Sequence, residues 1–157
     1  MPGKDRKREK YLNYYPVFVT AALVFFVDLA IKTYLRTYFA YQSIPILKQI
    51  FHITVIFNTG AAFGLLKGNT SLLIAFSFIF IGLFIFLLKS EEKKNFLFLF
   101  SCGMILGGAI SNLTDRIFLG YIVDYLDLRV WPVFNLSDAC ISAGVGIILL
   151  QSLWKKR

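Results

Sequence analysis

The stretch NLTDRIFLGYIVDYLDLRVWPVFNLSD, residues 112–138, decides how the chain is read. It carries four of the nine acidic residues, all of them aspartates: Asp115, Asp124, Asp127 and Asp138. Apolar runs long enough to cross a bilayer flank it on both sides. Asp115 and Asp138 fall where those runs should end and begin, and Asp124 lies between them in Ile122-Val123-Asp124-Tyr125. A carboxylate is expensive at membrane depth, so one found there marks a functional site by default. Two that converge can share a proton and perform acid–base chemistry. The rest of the chain then reads as a scaffold that holds these aspartates at one membrane face.

Composition supports that reading. Of 157 residues, 57% are hydrophobic and 17% charged, with a mean hydropathy of +0.67. Soluble domains run at about 45–50% apolar and about 25% charged. The chain is therefore expected to be one integral membrane domain, residues 1–157. A net charge of +8 would suit nucleic acid, but the basic residues cluster beside apolar runs, so no nucleic-acid partner is expected. Cys102 and Cys140 each sit inside an apolar run, where a lone thiol acts as a small hydrophobe. With one histidine, His52, and no CxxC or HExxH, neither a metal site nor a cofactor is expected.

Four spans are predicted, at roughly 14–38, 71–89, 96–114 and 135–154. The first lacks a clean small-residue cleavage site and carries Asp28 and Lys32, so it reads as a retained helix rather than a cleaved leader. Those two residues are four apart, hence on one helix face, and form a self-neutralising pair that can anchor a polar site. Residues 40–70 differ in texture. The piece Phe51-His52-Ile53-Thr54-Val55-Ile56-Phe57 is β-branched and aromatic, which predicts short strands in a small cradle outside the bilayer core. Asn58-Thr59-Gly60-Ala61-Ala62-Phe63-Gly64 reads as a turn, and His52 as a surface strand residue. The third span ends with Asn112, Asp115 and Arg116 on one face, and its Gly103, Gly107 and Gly108 permit close helix approach.

Charge sets the orientation. Eleven of the 17 basic residues lie in the N-terminal tail, the turn around residues 89–94 and the C-terminal tail. Both termini are therefore expected in the cytoplasm, with Asp28, Asp115, Asp124, Asp127 and Asp138 toward the opposite side. By themselves the residues leave three readings open. One is a hydrolase using a carboxylate pair. Another is a small proton- or cation-coupled transporter using the aspartates as a relay. The third is a structural subunit in which aspartates cap helices and pair Arg116 and Arg129.

Five blocks in order then resemble one family, lipoprotein signal peptidase, also called signal peptidase II. Asp28-Leu29-Ala30-Ile31-Lys32 resembles its D-x-x-x-K, and Asn58-Thr59-Gly60-Ala61-Ala62-Phe63 its N-x-GAAF. Residues 107–116, GGAISNLTDR, resemble its GGA-x-GN-x-x-DR. Val123-Asp124-Tyr125 resembles V-D-F, and residues 132–138, PVFNLSD, resemble P-x-FN-x-AD. Ser111 stands for a usual glycine, Ser137 for a usual alanine, Gly64 for a common serine and Trp131 for a common aromatic.

The resemblance implies an all-α membrane protein with four transmembrane helices and a small extracytoplasmic β-cradle. It implies an aspartyl endopeptidase of the bacterial inner membrane that removes signal peptides from prolipoproteins bearing a diacylglyceryl cysteine. Asp124 and Asp138 would be the catalytic pair. Asn58, Gly60, Asn112, Asp115, Arg116 and Asn135 would bind substrate or support the site, with Asp28 and Lys32 as a structural pair. Asp115 is the alternative to Asp124 in the dyad; its neighbour Arg116 argues for a permanently charged structural role instead. Prolipoproteins, membrane lipid and a cyclic-peptide inhibitor such as globomycin would be its partners, and a monomer is expected.

Overall fold

The structure, a computed structural model, describes residues 14–60, 66–90 and 95–154. The expected basic tails, the charged turn at 91–94 and the 61–64 part of the predicted turn lie outside these residues. The element order is α1 (Tyr15–Tyr38), β1 (Ser43–Leu47), β2 (Phe51–Asn58), α2 (Thr70–Ser90), α3 (Phe96–Leu119), β3 (Ile122–Asp127) and α4 (Leu136–Trp154). All four helices are long and apolar enough to cross a membrane. The protein is a mainly helical, four-span membrane protein with one small sheet.

Local chemistry sets the helix ends. Pro16 sits in the first turn of α1, where its missing N–H would have had no intrahelical partner. Asn95 caps α3 by accepting the Phe98 N–H at 2.7 Å. The same helix stops at Gly120, whose left-handed φ of 80° suits a residue without a Cβ. It therefore runs well past the predicted end at 114, and Asp115 and Arg116 lie within the helix rather than at its terminus. The apolar run ends at Leu113, but nothing in Thr114-Asp115-Arg116-Ile117-Phe118-Leu119 breaks a helix before that glycine.

α3 is the central helix: most of its residues are buried, whereas α1, α2 and α4 expose long rows of Phe, Leu and Ile. Inside a bilayer such rows face lipid, and helix association relies on close packing instead of hydrophobic expulsion. A Cβ placed on Gly107 would come within 2.6 Å of the Ala21 carbonyl oxygen of α1. Gly107→Val should therefore destabilise the bundle by about 1–3 kcal/mol. Gly82→Ala, where nothing lies within 4 Å, should be neutral. Thermal unfolding in detergent separates them, and equal midpoints would mean that α1 and α3 do not pack as described.

The sheet has the order β1-β2-β3 and is antiparallel throughout. β3 is the strand that the sequence did not disclose. It pairs Asp124 with Ile56 and Asn58 with Ile122, so it brings the loop after α3 onto the cradle predicted for 40–70. Val55, Val123 and Tyr125 form a buried cluster against Ile31 and Leu35 of α1 and Phe39, which caps that helix. The sheet is thereby seated on the end of the bundle where α1 and α3 finish and α2 and α4 begin. Thr70 Oγ1 donates to the Gly120 carbonyl at 3.0 Å, tying the start of α2 to the end of α3.

Candidate active site

The site grows from the start of α4. Asn135 caps that helix: its side-chain oxygen accepts the Asp138 N–H at 2.9 Å, and an Asp138 oxygen accepts the Asn135 N–H at 3.3 Å. This reciprocal pair is a capping box with aspartate in the third helical position. It fixes Asp138 at a helix N-terminus, where backbone dipoles favour negative charge. The Asn135 side chain is fully buried, and its amide group donates to Asp124 at 2.7 Å and to the Asn112 oxygen at 3.2 Å. Asn112 donates in turn to the other Asp138 oxygen at 2.8 Å. Asn58, at the end of β2, donates to the second Asp124 oxygen at 2.9 Å. One asparagine thus contacts both carboxylates, and two more complete the frame. β3 carries Asp124 and α4 carries Asp138.

Amide direction in this frame is set from below. Lys32 has only donors. Its ammonium lies 2.8 Å from Asp28, 3.0 Å from Asp115 and 2.9 Å from the Asn112 oxygen, at 1% exposure of the residue. That oxygen must face Lys32, so the Asn112 amide must face Asp138. The ionic partner of Asp115 is Lys32, from the first helix, and not the adjacent Arg116 that the sequence suggested. A second Asp115 contact is the Val123 N–H at 3.2 Å, which steadies the strand carrying Asp124. Arg116 turns the other way, toward the Gly60 carbonyl at 3.4 Å, while the Gly60 N–H donates to the Asn58 oxygen at 2.9 Å. Adjacent positions on a helix point about 100° apart, which is why Asp115 and Arg116 separate.

Three residues that sequence reasoning did not place in the site complete it. The hydroxyls of Ser111 and Ser137 both donate to Asp28, and Tyr125 donates to its other oxygen at 3.1 Å. The two serines drew notice only as departures from a family pattern. Hydroxyls at small-residue positions in apolar helices need an acceptor, and that was the available signal.

Asp124 is 2% exposed. Burial pushes its carboxyl up to about 7; the Asn58 and Asn135 hydrogen bonds and the Lys32 charge oppose this, and the nearby Asp138 charge adds to it. Burial likewise raises the Tyr125 phenol, with the Asp28 charge adding to it. At Asp127 burial also acts upward, but hydrogen bonds from Thr54 and Arg129 outweigh it and hold that carboxyl below its ordinary value. Asp127 is part of a sheet-end cluster, with Thr54 at 2.8 Å and the Arg129 guanidinium at 3.1 Å, and does not join the pair.

Asp124, Asp138, Asn58, Gly60, Asn112 and Arg116 all line one cavity of about 680 Å³. Leu73, Phe76 and Phe80 of α2 form its far wall, and Ile141 and Ser142 of α4 face them. α2 packs principally on α3, which leaves this cavity between α2 and α4. Asp115, Asp28 and Lys32 lie behind it. A buried carboxyl that keeps its proton near neutrality, framed by amide donors beside a second carboxylate, can activate water without a metal or a nucleophilic side chain.

Residues 20–154 match a family described as Signal peptidase (SPase) II. The chain is similar to the lipoprotein signal peptidase of Halothermothrix orenii, with 38% identity over 141 residues that cover 89% of this chain and 96% of that protein. Its identity to the lipoprotein signal peptidase of Moorella thermoacetica is 39% over 139 residues, covering 88% and 93%. Two solved structures, both of bacterial membrane enzymes, share the fold. One superposes with a TM-score of 0.82 at 23% identity, covering 89% of this chain and 88% of that one. The other gives 0.79 at 24%, covering 87% and 92%. With the family match running through both aspartate-bearing elements and nearly the whole described chain, the protein belongs to the signal peptidase II family.

Proposed function

We propose that this protein is a membrane-embedded aspartic endopeptidase that removes signal peptides from diacylglyceryl-modified bacterial prolipoproteins, cutting before the lipidated cysteine. The observation that carries the proposal is the pair Asp124 and Asp138, on different elements, bridged by Asn135 at the wall of one cavity: its buried side-chain amide donates to Asp124 and its backbone N–H donates to Asp138. Asp138, at the helix N-terminus, is the ionised member and takes a proton from water. Asp124 holds the other proton and donates it toward the scissile carbonyl oxygen as the hydrated intermediate forms. The proton gained by Asp138 then goes to the leaving amine as the C–N bond breaks, Asp124 takes a proton back from a hydroxyl of the collapsing intermediate, and the pair returns to its starting state. The cavity between α2 and α4 receives the end of the signal segment from the side, through lipid. Eleven basic residues in the tails and the 89–94 turn support cytoplasmic termini and an extracytoplasmic site in the bacterial inner membrane.

The direct test is cleavage of a purified prolipoprotein with and without its diacylglyceryl group. Release of the signal peptide from the modified form alone is the expected result; no cleavage of either form would remove the proposal. Its pH dependence is also set. Cleavage should fall as pH rises through about 7, because Asp124 then loses the proton it must donate. Stability should move in the same direction. The folded value of about 7 lies above the ordinary aspartate value of about 3.9, so the native state binds a proton that the unfolded chain has released. Stability from this group is complete below about pH 4 and is lost as pH rises toward 7. Thermal midpoints of the wild type and of Asp124→Asn across that range should differ in slope, and parallel curves would place the proton elsewhere.

A further inference from the structure

Asp138 borders two openings. Besides the cavity between α2 and α4, a second groove of about 340 Å³ is lined by Leu128, Trp131, Phe134, Ala139 and Ser142. Trp131, Phe134 and Ser142 also line both, so the two spaces adjoin along these residues. The two spaces thus fork at the carboxylate that touches the reacting bond in the proposed mechanism.

A lipidated substrate forks at the same place. Its backbone continues along one direction from the cysteine Cα, and the thioether with its acyl chains leaves along another. A site that cuts beside that cysteine needs a second, apolar branch that begins at the dyad. We propose that the groove under Trp131 and Phe134 holds an acyl chain of the substrate's diacylglyceryl cysteine, while the larger cavity holds the signal segment. This assignment rests on the peptidase reading above and names the part of the substrate that each space takes.

Size and wall chemistry separate the two occupants. The larger cavity runs along α2 from Leu73 to Phe80, about 10 Å at 1.5 Å per residue, and carries the polar groups Asn58, Asn112 and Arg116 that a peptide backbone can meet. The smaller groove has half that volume, and beside Asp138 the polar groups its lining side chains carry are the Ser142 hydroxyl and the Trp131 indole N–H. A helix about 10 Å across does not fit such a space, whereas a flexible hydrocarbon does. Ser142 and Ala139 lie within the first two turns of α4, beside the outer hydrocarbon layer that the acyl chains already occupy in the proposed orientation. Leu128 and Trp131 are part exposed at the mouth, so a chain can enter from lipid without crossing water.

The test uses one prolipoprotein peptide carrying either hexadecanoyl or butanoyl chains on its glyceryl cysteine, with the full-length enzyme in detergent. Leu128→Trp and Ala139→Leu each narrow the groove. Both should raise KM for the long-chain substrate by about tenfold or more, the scale of filling a hydrophobic pocket by one or a few carbons. Both should stay within about twofold of wild type on the short-chain substrate, which also shows that each variant is folded. Equal loss on both substrates, or no loss on either, overturns the assignment. A hexadecanoyl chain bearing a photoreactive diazirine should label Leu128 or Ala139 in the wild-type enzyme; labelling of Phe76 or Phe80 instead would exchange the two spaces and overturn it as well. Wild-type enzyme that cuts neither substrate would sink the peptidase reading itself, a result distinct from any of these.

Discussion

Asp124→Asn and Asp138→Asn should each lower cleavage of a diacylglyceryl-modified prolipoprotein by at least about 10²–10⁴-fold, the scale of a lost general acid or base. The double variant should be little worse than either single one, because the two carboxyls act on one proton inventory. The frame around the dyad adds a qualification about stability. Both Asp124 oxygens accept amide N–H bonds, one from Asn135 and one from Asn58. An asparagine there offers one oxygen and one NH2, so one pair of amide donors must face each other. Turning Asn58 would give up its bond from Gly60, and turning Asn135 would give up its bond from the Asp138 N–H. Asp124→Asn should therefore lose about 1–3 kcal/mol of stability besides its activity. A protonated aspartic acid escapes that clash, because its hydroxyl oxygen still accepts. Rates must be divided by folded protein, measured by thermal unfolding. If Asp124→Asn keeps cutting while a folded Asp115→Asn is dead, Asp115 replaces Asp124 in the pair. If all three variants cut, the dyad reading fails, and a proton or cation relay becomes the better account.

Lys32→Met should have the largest effect on the fold. The ammonium is shared by Asp28 and Asp115 and also holds the Asn112 oxygen, all at about 3 Å in the centre of the bundle. Methionine keeps the apolar stem and removes the charge, which leaves two buried carboxylates without their cation. Breaking a buried ion pair from one side costs about 3–5 kcal/mol. Asp28→Ala should also lower the yield of folded protein, since it strands Lys32, Ser111, Ser137 and Tyr125 at once. The measurement is the melting temperature in detergent together with the amount of protein recovered from membranes. A Lys32→Met protein with a normal melting temperature and no activity would move Lys32 out of the scaffold and into the chemistry.

The four helices, and the strand texture of the segment between the first two, were legible from residue order because both follow from local periodicity and apolar length. Asp28 and Lys32 could be placed on one face for the same reason: a spacing of four is a single helical turn. The Asn135–Asp138 spacing of three is likewise a local fact, and it became a capping box once the helix formed.

Other features depend on contacts between distant parts of the chain. β3 gave no alternating signal, because Phe134 covers its edge and α1 and α3 lie against it. Five of its six residues are buried, the polar Asp124 and Asp127 among them. That left Asp124 looking like a loop residue in an apolar setting. The partner of Asp115 lies on α1 and not at the next position, since a helix turns neighbours apart while crossing helices bring Lys32 and Asp115 together. The sequence by itself determined which residues are too polar for where they sit: four aspartates around a membrane-length apolar frame, with asparagines nearby. Tertiary structure decided which of them meet. Strand pairing lifts Asp124 to the level of Asp138, and the Lys32 ion cluster fixes Asn112 so that its amide points at Asp138. Pairing of that kind depends on helix crossings, which here act across 80 or more residues of chain, and on sheet register, which acts across more than 60, and neither leaves a trace in local spacing.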